Sequence, residues 1–97
     1  MTIQSFKGSL TEKIFLGVKD KEVSKFPHDV VKSAVRKLDM LEAAAALQDL
    51  ASPPGNKLHA LKDDLDGYHS ISINDQWRIV FRWQDDGPHE VEIMDYH

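Results

Sequence analysis

The hydrophobic pattern of this 97-residue chain changes its period at residues 52–56, and this change constrains the fold more than any other feature. Before SPPGN, apolar residues recur every three to four positions, as on one face of an α-helix. After it, they alternate with polar residues, as along half-buried β-strands. Two prolines and a glycine stop a helix at this point. The sequence therefore predicts helices before residues 52–56 and a sheet after them. The length of the chain fits one domain over residues 1–97.

The N-terminal segment predicts a short strand followed by a short helix. Residues 2–6 are rich in β-favouring residues, and residues 9–17 show apolar positions at helical spacing. Ser9 and Glu12 have the spacing of a capping box at the start of this helix. Gly17 lies where the helix is expected to end.

The next two segments predict a loop and the main helical region. Residues 19–25 are charged and have one apolar member, so we expect an exposed connection. Residues 26–52 predict helix, with a candidate break into two helices at residues 39–40. Its apolar stripe consists of Val31, Ala34, Val35, Leu38, Leu41 and Ala45.

The second half predicts an antiparallel meander. Residues 57–61 form a short extended piece, and three strands are expected over residues 68–73, 76–83 and 89–96. The predicted architecture is an α+β sandwich of order β-α-α-β-β-β, with two or three helices on one face of the sheet. The opposite face is expected to be bare, since antiparallel sheets commonly leave one face to solvent.

The charge balance limits the classes of function. Lys and Arg number 12 against 16 Asp and Glu, a net charge of −4, whereas nucleic-acid binders usually carry a basic excess. Residues 55–97 alone carry four basic and nine acidic residues, so any anion site in this half must be local. The chain has no cysteine, and its apolar runs are too short for a membrane span. We therefore expect a cytoplasmic protein without a membrane partner.

Polar side chains on the predicted bare face suggest a chemistry. Arg78 and Arg82 lie four apart with the parity of this face, while His59 and Lys62 precede the meander. The cations could hold an anion, and His59, Tyr96 and His97 could move protons, with Asp95 orienting a histidine. This set suits cleavage of RNA through its own 2′-hydroxyl, which needs a base, an acid and cations but no metal or cofactor. Surface arginines that simply lie in water are the plainer alternative.

Three segments give the chain a resemblance to a known family. KLHALK, GYHSISINDQWRIVFRW and the terminal DYH resemble the HigB-type toxins of bacterial toxin–antitoxin pairs, in the RelE-like superfamily. The early IQSFKGSLTEKIFLGV is similar to the N-terminus of these toxins. The resemblance implies a compact RelE-like fold and a ribosome-dependent endoribonuclease that cuts messenger RNA. It also implies a helix-turn-helix antitoxin of the HigA type as partner, with operator DNA bound only through that antitoxin.

The resemblance also implies the site. The histidine and lysine of its LH-x-LK segment fall on His59 and Lys62, and its strand arginine falls on Arg78. Its terminal triplet falls on Asp95, Tyr96 and His97, which would be catalytic together with His59 and Lys62. Gln76 and Arg78 would bind substrate, and Arg82 joins them on strand parity alone.

Two other classes of function are alternatives to the nuclease. A non-catalytic module could inhibit growth by occupying the ribosome or another protein. A transcriptional regulator is disfavoured, because no helix-turn-helix pattern or basic recognition helix is present.

Overall fold

The computed structural model describes residues 2–95 and confirms the α+β class. Its α-helices are α1 (Leu10–Leu16), α2 (Lys21–Ser24) and α3 (His28–Ala43). Three 3₁₀ helices follow at Leu47–Ala51, Pro54–Asn56 and Asp63–Leu65. The strands are β1 (His59–Ala60), β2 (His69–Ser72), β3 (Trp77–Gln84) and β4 (Gly87–Asp95). They form one antiparallel sheet in the order β1-β2-β3-β4.

The helix-facing side of the sheet forms the core, as the alternation predicts. Ile71, Ile79 and Phe81 are fully buried there and belong to one cluster with Leu38 and Leu41 of α3. Val91 and Ile93 of β4 are buried in the same cluster. The period-2 pattern therefore identifies the inner face correctly, because every second residue of a strand points to the same side.

The N-terminal strand prediction is wrong in part. Residues 2–6 form no strand, and only Phe6 makes an isolated parallel bridge to Val91. Near this bridge the β3–β4 register shifts, and Glu90 has a positive φ of 53°. Such a bulge leaves an extra residue unpaired and bends the strand, which limits regular pairing along the edge of β4.

The helix boundaries confirm one terminal signal and correct another. Gly17 ends α1 in the left-handed conformation, as predicted. Ser9 occupies the N-cap position but makes no side-chain capping hydrogen bond, so the predicted capping box is wrong. Its backbone has helical φ and ψ of −101° and −20° rather than the extended geometry that capping needs.

The segment over residues 19–25 contains more structure than the predicted loop. Asp20 caps the one-turn helix α2 by accepting a hydrogen bond from the backbone N–H of Val23. Val23 is buried, whereas its charged neighbours are exposed. A single apolar residue thus docks this turn onto the core.

The predicted break at residues 39–40 is also wrong. The α3 helix continues to Ala43, because Leu38 and Leu41 are both fully buried on its core-facing side. Ala45, which the predicted stripe includes, lies beyond the helix and is exposed.

A buried asparagine holds the chain between α3 and β1. Asn56 is fully buried and donates through Nδ2 to the carbonyl oxygens of Leu50 and Ser52, at 3.1 and 3.3 Å. Its Oδ1 accepts a short hydrogen bond from Lys37 of α3, whose pKa burial lowers below its ordinary value. Asn56 therefore ties the turn before β1 to the long helix. No helix in the described part of the chain is long and apolar enough to cross a membrane.

Candidate active site

The sheet face opposite the helices, called the outer face, carries the polar residues singled out in the sequence. Strand pairing defines its two central rows: His59, Ser70, Val80 and Glu92 in one, and Ser72, Arg78 and Met94 in the other. Tyr68 and Arg82 lie towards one end of this face, since each is two residues from the first row along its strand segment. The register thus places His59 and Arg78 on the same face.

The outer face is not bare, which corrects the prediction. Ser70 and Val80 are 0% and 2% exposed, and Ser72 is 7% exposed. Arg78 and Arg82 are half-buried. Short serine side chains lie between longer neighbours on adjacent strands, where cross-strand Cβ atoms are only about 5 Å apart. The result is a closed floor with polar side chains around it rather than an open, wet surface.

His59 lies on the edge strand β1 with its side chain exposed. Its Nδ1 lies 3.2 Å from the carbonyl oxygen of Lys57. Because a carbonyl can only accept, Nδ1 carries the proton of this hydrogen bond. In the neutral ring, Nε2 is then the nitrogen that can accept a proton, so His59 has the tautomer that a general base needs.

Arg78 lies two strands from His59 and is offset by two residues. Ordinary strand spacings put their Cα atoms roughly 12 Å apart, so both long side chains can reach one ligand between them. Half-burial places the guanidinium partly out of water, where its attraction to an anion is stronger than at an open surface.

Lys62 follows His59 by three residues, just beyond β1. Its side chain is exposed and forms no ion pair within residues 2–95. Asp63 and Asp64 come next in a 3₁₀ helix and are also exposed. Their charges lower the local positive potential without engaging the ammonium directly.

Gln76 and Asp95 meet at the end of the sheet nearest Arg78. The Oδ1 of Asn74 accepts hydrogen bonds from the backbone N–H groups of Gln76 and Trp77, at 2.9 and 2.8 Å, and this fixes the β2–β3 turn. From the turn, Gln76 Nε2 donates to Asp95 Oδ2 at 3.2 Å. Gln76, predicted to bind substrate, is therefore seen orienting the Asp95 carboxylate. The predicted catalytic residues Tyr96 and His97 lie outside the described residues.

Arg82 lies apart from Arg78, at the other end of the outer face. Four residues of strand separate their Cα atoms by about 13 Å. The Arg82 guanidinium lies over the Tyr68 ring, 5.1 Å from its centroid, and the Tyr68 hydroxyl donates to Glu90 at 2.8 Å. Gly67 leaves room for it, because a Cβ there would lie 3.3 Å from Nη2. Arg82 therefore packs on Tyr68, at a distance from the candidate site around Arg78.

Two residues at this face, Tyr68 and Glu90, are not identified by the sequence pattern. Tyr68 shares the parity of Ser70 and could have been found from that alternation. Glu90 lies near Tyr68 because of a β-bulge, and no local sequence pattern predicts that bulge. The buried Ser70 hydroxyl has no hydrogen-bond partner among residues 2–95.

The same residues contain no group of three or more His, Asp or Glu able to hold a metal ion.

Comparison with known proteins decides the family. The profile of the HigB-like toxins, described as the RelE-like toxin of the type II toxin-antitoxin system HigB, matches residues 4–97. The chain belongs to the HigB-like toxin family. Within residues 2–95, three α-helices and a four-stranded antiparallel sheet are consistent with the RelE-like fold. Membership implies a type II toxin–antitoxin system with an antitoxin as partner.

Individual relatives match parts of the chain. Toxin HigB-1 of Vibrio cholerae is 41% identical over 68% of this chain and 70% of its own length. An uncharacterized protein of Haemophilus influenzae is 38% identical over 63% of this chain and 60% of its own. Endoribonuclease HigB of Proteus vulgaris is 42% identical over 42% of this chain and 45% of its own.

Proposed function

We propose that this HigB-like toxin is an endoribonuclease that cleaves messenger RNA on the ribosome, with the outer face as its active site. The observation that carries this proposal is the arrangement of His59 and Arg78 on that face. His59 presents a proton-accepting nitrogen, and Arg78 presents a half-buried guanidinium within reach of the same ligand. The Proteus vulgaris relative, named as an endoribonuclease, supports the same activity.

The proposed reaction uses the 2′-hydroxyl of the substrate as nucleophile. A base removes the hydroxyl proton while the 2′-oxygen bonds to the adjacent phosphorus. The bond from phosphorus to the 5′-oxygen then breaks, and an acid protonates that oxygen. The products are a 2′,3′-cyclic phosphate and a 5′-hydroxyl, with no change of oxidation state and no cofactor.

The side chains divide these tasks by chemistry. His59 takes or returns the proton, since an imidazole ring can both accept and donate one. Lys62 and Arg78 stabilise the negative charge that grows on the phosphorane oxygens. Asp95 acts as base or positions a proton carrier, with Gln76 fixing its carboxylate.

The terminal residues complete the proposal through the family resemblance. Tyr96 would stack on or hydrogen-bond a nucleotide, and His97 would be the second proton carrier. We further propose that the toxin acts in the cytoplasm and that a helix-turn-helix antitoxin neutralises it. Because the net charge is −4, ribosome binding depends on a few basic side chains. Loss of any one of them should therefore weaken that binding.

Mapping new RNA 5′ ends across the transcriptome tests this proposal. Cells would express the wild type or the double variant Tyr96→Phe, His97→Ala. The proposal predicts cleavages in phase with codons for the wild type and none for the variant. Growth arrest by the wild type without new 5′ ends would instead support a non-catalytic module that occupies its target.

A further inference from the structure

A second group of polar residues lies at the end of the outer face away from Arg78 and is called here the Arg82 corner. It consists of Tyr68, Arg82 and Glu90, which are all half-buried. The Arg82 guanidinium lies over the Tyr68 ring, and the Tyr68 hydroxyl donates to Oε1 of Glu90 at 2.8 Å. A flat cation, an aromatic ring and a carboxylate therefore meet at one end of this face.

Contacts between distant parts of the chain fix this corner. Gly67 precedes Tyr68 with a φ of 91° and leaves room for Nη2 of Arg82. Glu90 lies in the left-handed region at the β4 bulge, with a φ of 53°, and its N–H donates to Oγ of Ser5 at 2.9 Å. A non-glycine residue is strained in this region and persists only where its surroundings impose it, as often happens at binding sites.

Hydrogen-bonding groups of the corner are left over after these contacts. The N–H groups of Arg82 make no hydrogen bond or ion pair with any residue in the range 2–95. Oε2 of Glu90 likewise accepts no hydrogen bond from that range. Because polar groups that leave water are usually paired, a donor and an acceptor held on one tyrosine without partners point to a ligand that supplies both.

The chemistry of the corner suits a nucleobase rather than a phosphate. Packing on Tyr68 fixes the guanidinium plane of Arg82, so its N–H edge is a donor of set direction. The Glu90 carboxylate can only accept, and its negative charge opposes a phosphate at the same place. The edge of a base, in contrast, offers a donor beside an acceptor and carries no net charge.

The order of donor and acceptor distinguishes two classes of base. Adenine and cytosine carry an amino group, which can donate to Glu90, next to a ring nitrogen, which can accept from Arg82. Guanine and uracil carry a carbonyl oxygen next to a ring N–H, so the polarity of their edge is reversed. A carbonyl that faces a carboxylate brings two acceptors together with no proton between them, which is unfavourable. The corner therefore favours the amino bases, adenine and cytosine.

We propose that the Arg82 corner binds one unpaired adenine or cytosine of the messenger RNA and so sets a base preference for cleavage. Arg82 and Glu90 determine specificity and take no part in proton transfer. The proposal rests on the proposed endoribonuclease function, whose substrate it specifies. Because about 13 Å separates the Cα atoms of Arg78 and Arg82, the bound base belongs to a nucleotide near the cut rather than at the scissile phosphate.

Reversal of one hydrogen-bonding group tests the corner. Glu90→Gln keeps an oxygen that accepts from the Tyr68 hydroxyl and replaces the other oxygen by an amide donor. The preference should therefore move from the amino bases to guanine and uracil. Glu12→Gln, the same change at an exposed position on α1, is the matched control.

Binding of short fluorescent oligonucleotides to the free protein measures the preference without the ribosome. We expect the wild type and Glu12→Gln to bind oligoadenylate and oligocytidylate about fivefold or more tightly than oligouridylate. Glu90→Gln should lose this margin and favour oligouridylate. Its thermal unfolding should match that of the wild type, because the hydrogen bond to Tyr68 is kept.

Cleavage of ribosome-bound messengers supplies an independent readout. Messengers that differ in a single nucleotide beside the cut would be compared by kcat/KM. At the position that contacts the corner, adenine and cytosine should exceed uracil by about fivefold or more for the wild type, and Glu90→Gln should reverse the order. A purely structural role of Glu90 would instead lower the rate equally for every base.

Two results would overturn the proposal. They are equal affinity of the wild type for the oligonucleotides, and a Glu90→Gln variant that keeps the wild-type preference. If the wild type cleaves no ribosome-bound messenger, the nuclease proposal fails while the binding comparison still decides the role of the corner. If the wild type cleaves messengers but binds the oligonucleotides equally, only the base preference fails.

Discussion

The groove between α3 and the α1–α2 pair, called here the helix groove, lies on the opposite side of the core from the outer face. It combines an apolar floor with a cationic edge that includes Lys32 and Arg36. The outer face combines a closed floor at Ser70 and Val80 with a few polar side chains, which suits a substrate that binds, reacts and leaves. The comparison teaches that a small domain can keep an apolar groove and a polar sheet face apart by assigning each to one layer.

Substitution of His59 should produce the largest effect on the outer face. We expect His59→Gln to lower the rate of RNA cleavage by about 10²-fold or more, because it removes a proton carrier. The side chain is exposed, so stability should not change. Cleavage of ribosome-bound mRNA measures the effect.

His28→Gln is the matched control for this substitution, since His28 lines the helix groove on the other side. Its cleavage rate should equal that of the wild type. Equal losses of cleavage rate in both variants would contradict the assignment of catalysis to the outer face alone.

Substitution of Arg78 should give the next largest loss. Arg78→Gln should lower cleavage by roughly 10- to 100-fold, since a partly desolvated cation next to the phosphate is lost. Arg36→Gln, on the groove rim, should leave cleavage unchanged. Single-turnover cleavage rates of the two variants are compared with that of the wild type. An Arg78→Gln variant that cleaves at the wild-type rate would show that Arg78 does not contact the scissile phosphate.

Loss of Asn56 should affect stability on the helix side. Asn56→Ala leaves the Leu50 and Ser52 carbonyls and the Lys37 ammonium without their partner. We expect a loss of about 2–3 kcal/mol in the free energy of unfolding, measured by urea denaturation. Gln48→Ala, at an exposed amide nearby, should change it by less than about 0.5 kcal/mol.

Removal of the Ser70 hydroxyl should have the smallest effect. Since this buried group has no partner within the described residues, Ser70→Ala should alter the free energy of unfolding by less than about 1 kcal/mol, with stabilisation favoured. Cleavage should stay near the wild-type rate. A stable variant with a large loss of cleavage would instead make the hydroxyl part of the site.

Local patterns predict much of this molecule, and tertiary neighbours decide the rest. Alternation in the second half identifies Ile71, Ile79 and Phe81 as core because strand parity is a property of the backbone. Parity places Arg78 on the outer face, whereas His59 joins it only through the β1–β2 register. Parity cannot show that Ser70 and Val80 are buried, because burial depends on the surrounding side chains.

Other features depend on contacts far apart in sequence. The bulge at Glu90 and the buried amide of Asn56 involve partners that no local pattern names. The helix groove arises where residues 17–24 lie beside α3. The charged sequence over residues 19–25 predicts only an exposed connection there. The N-terminal strand prediction is wrong for a similar reason. Residues 4–7 exchange backbone hydrogen bonds with Pro88 and Val91, but the bulge at Glu90 lies between those two residues and leaves an isolated bridge rather than a strand.

The chemistry assigned to the outer face can be tested on the substrate itself. Ribosome-bound mRNA would carry a single 2′-deoxynucleotide at the position that the wild-type toxin cleaves, beside an all-ribose control. The account predicts that the control yields a 2′,3′-cyclic phosphate and a 5′-hydroxyl, and that the deoxy substrate stays intact at that position. Cleavage of the deoxy substrate at the same position, or products with 5′-phosphates, would contradict it.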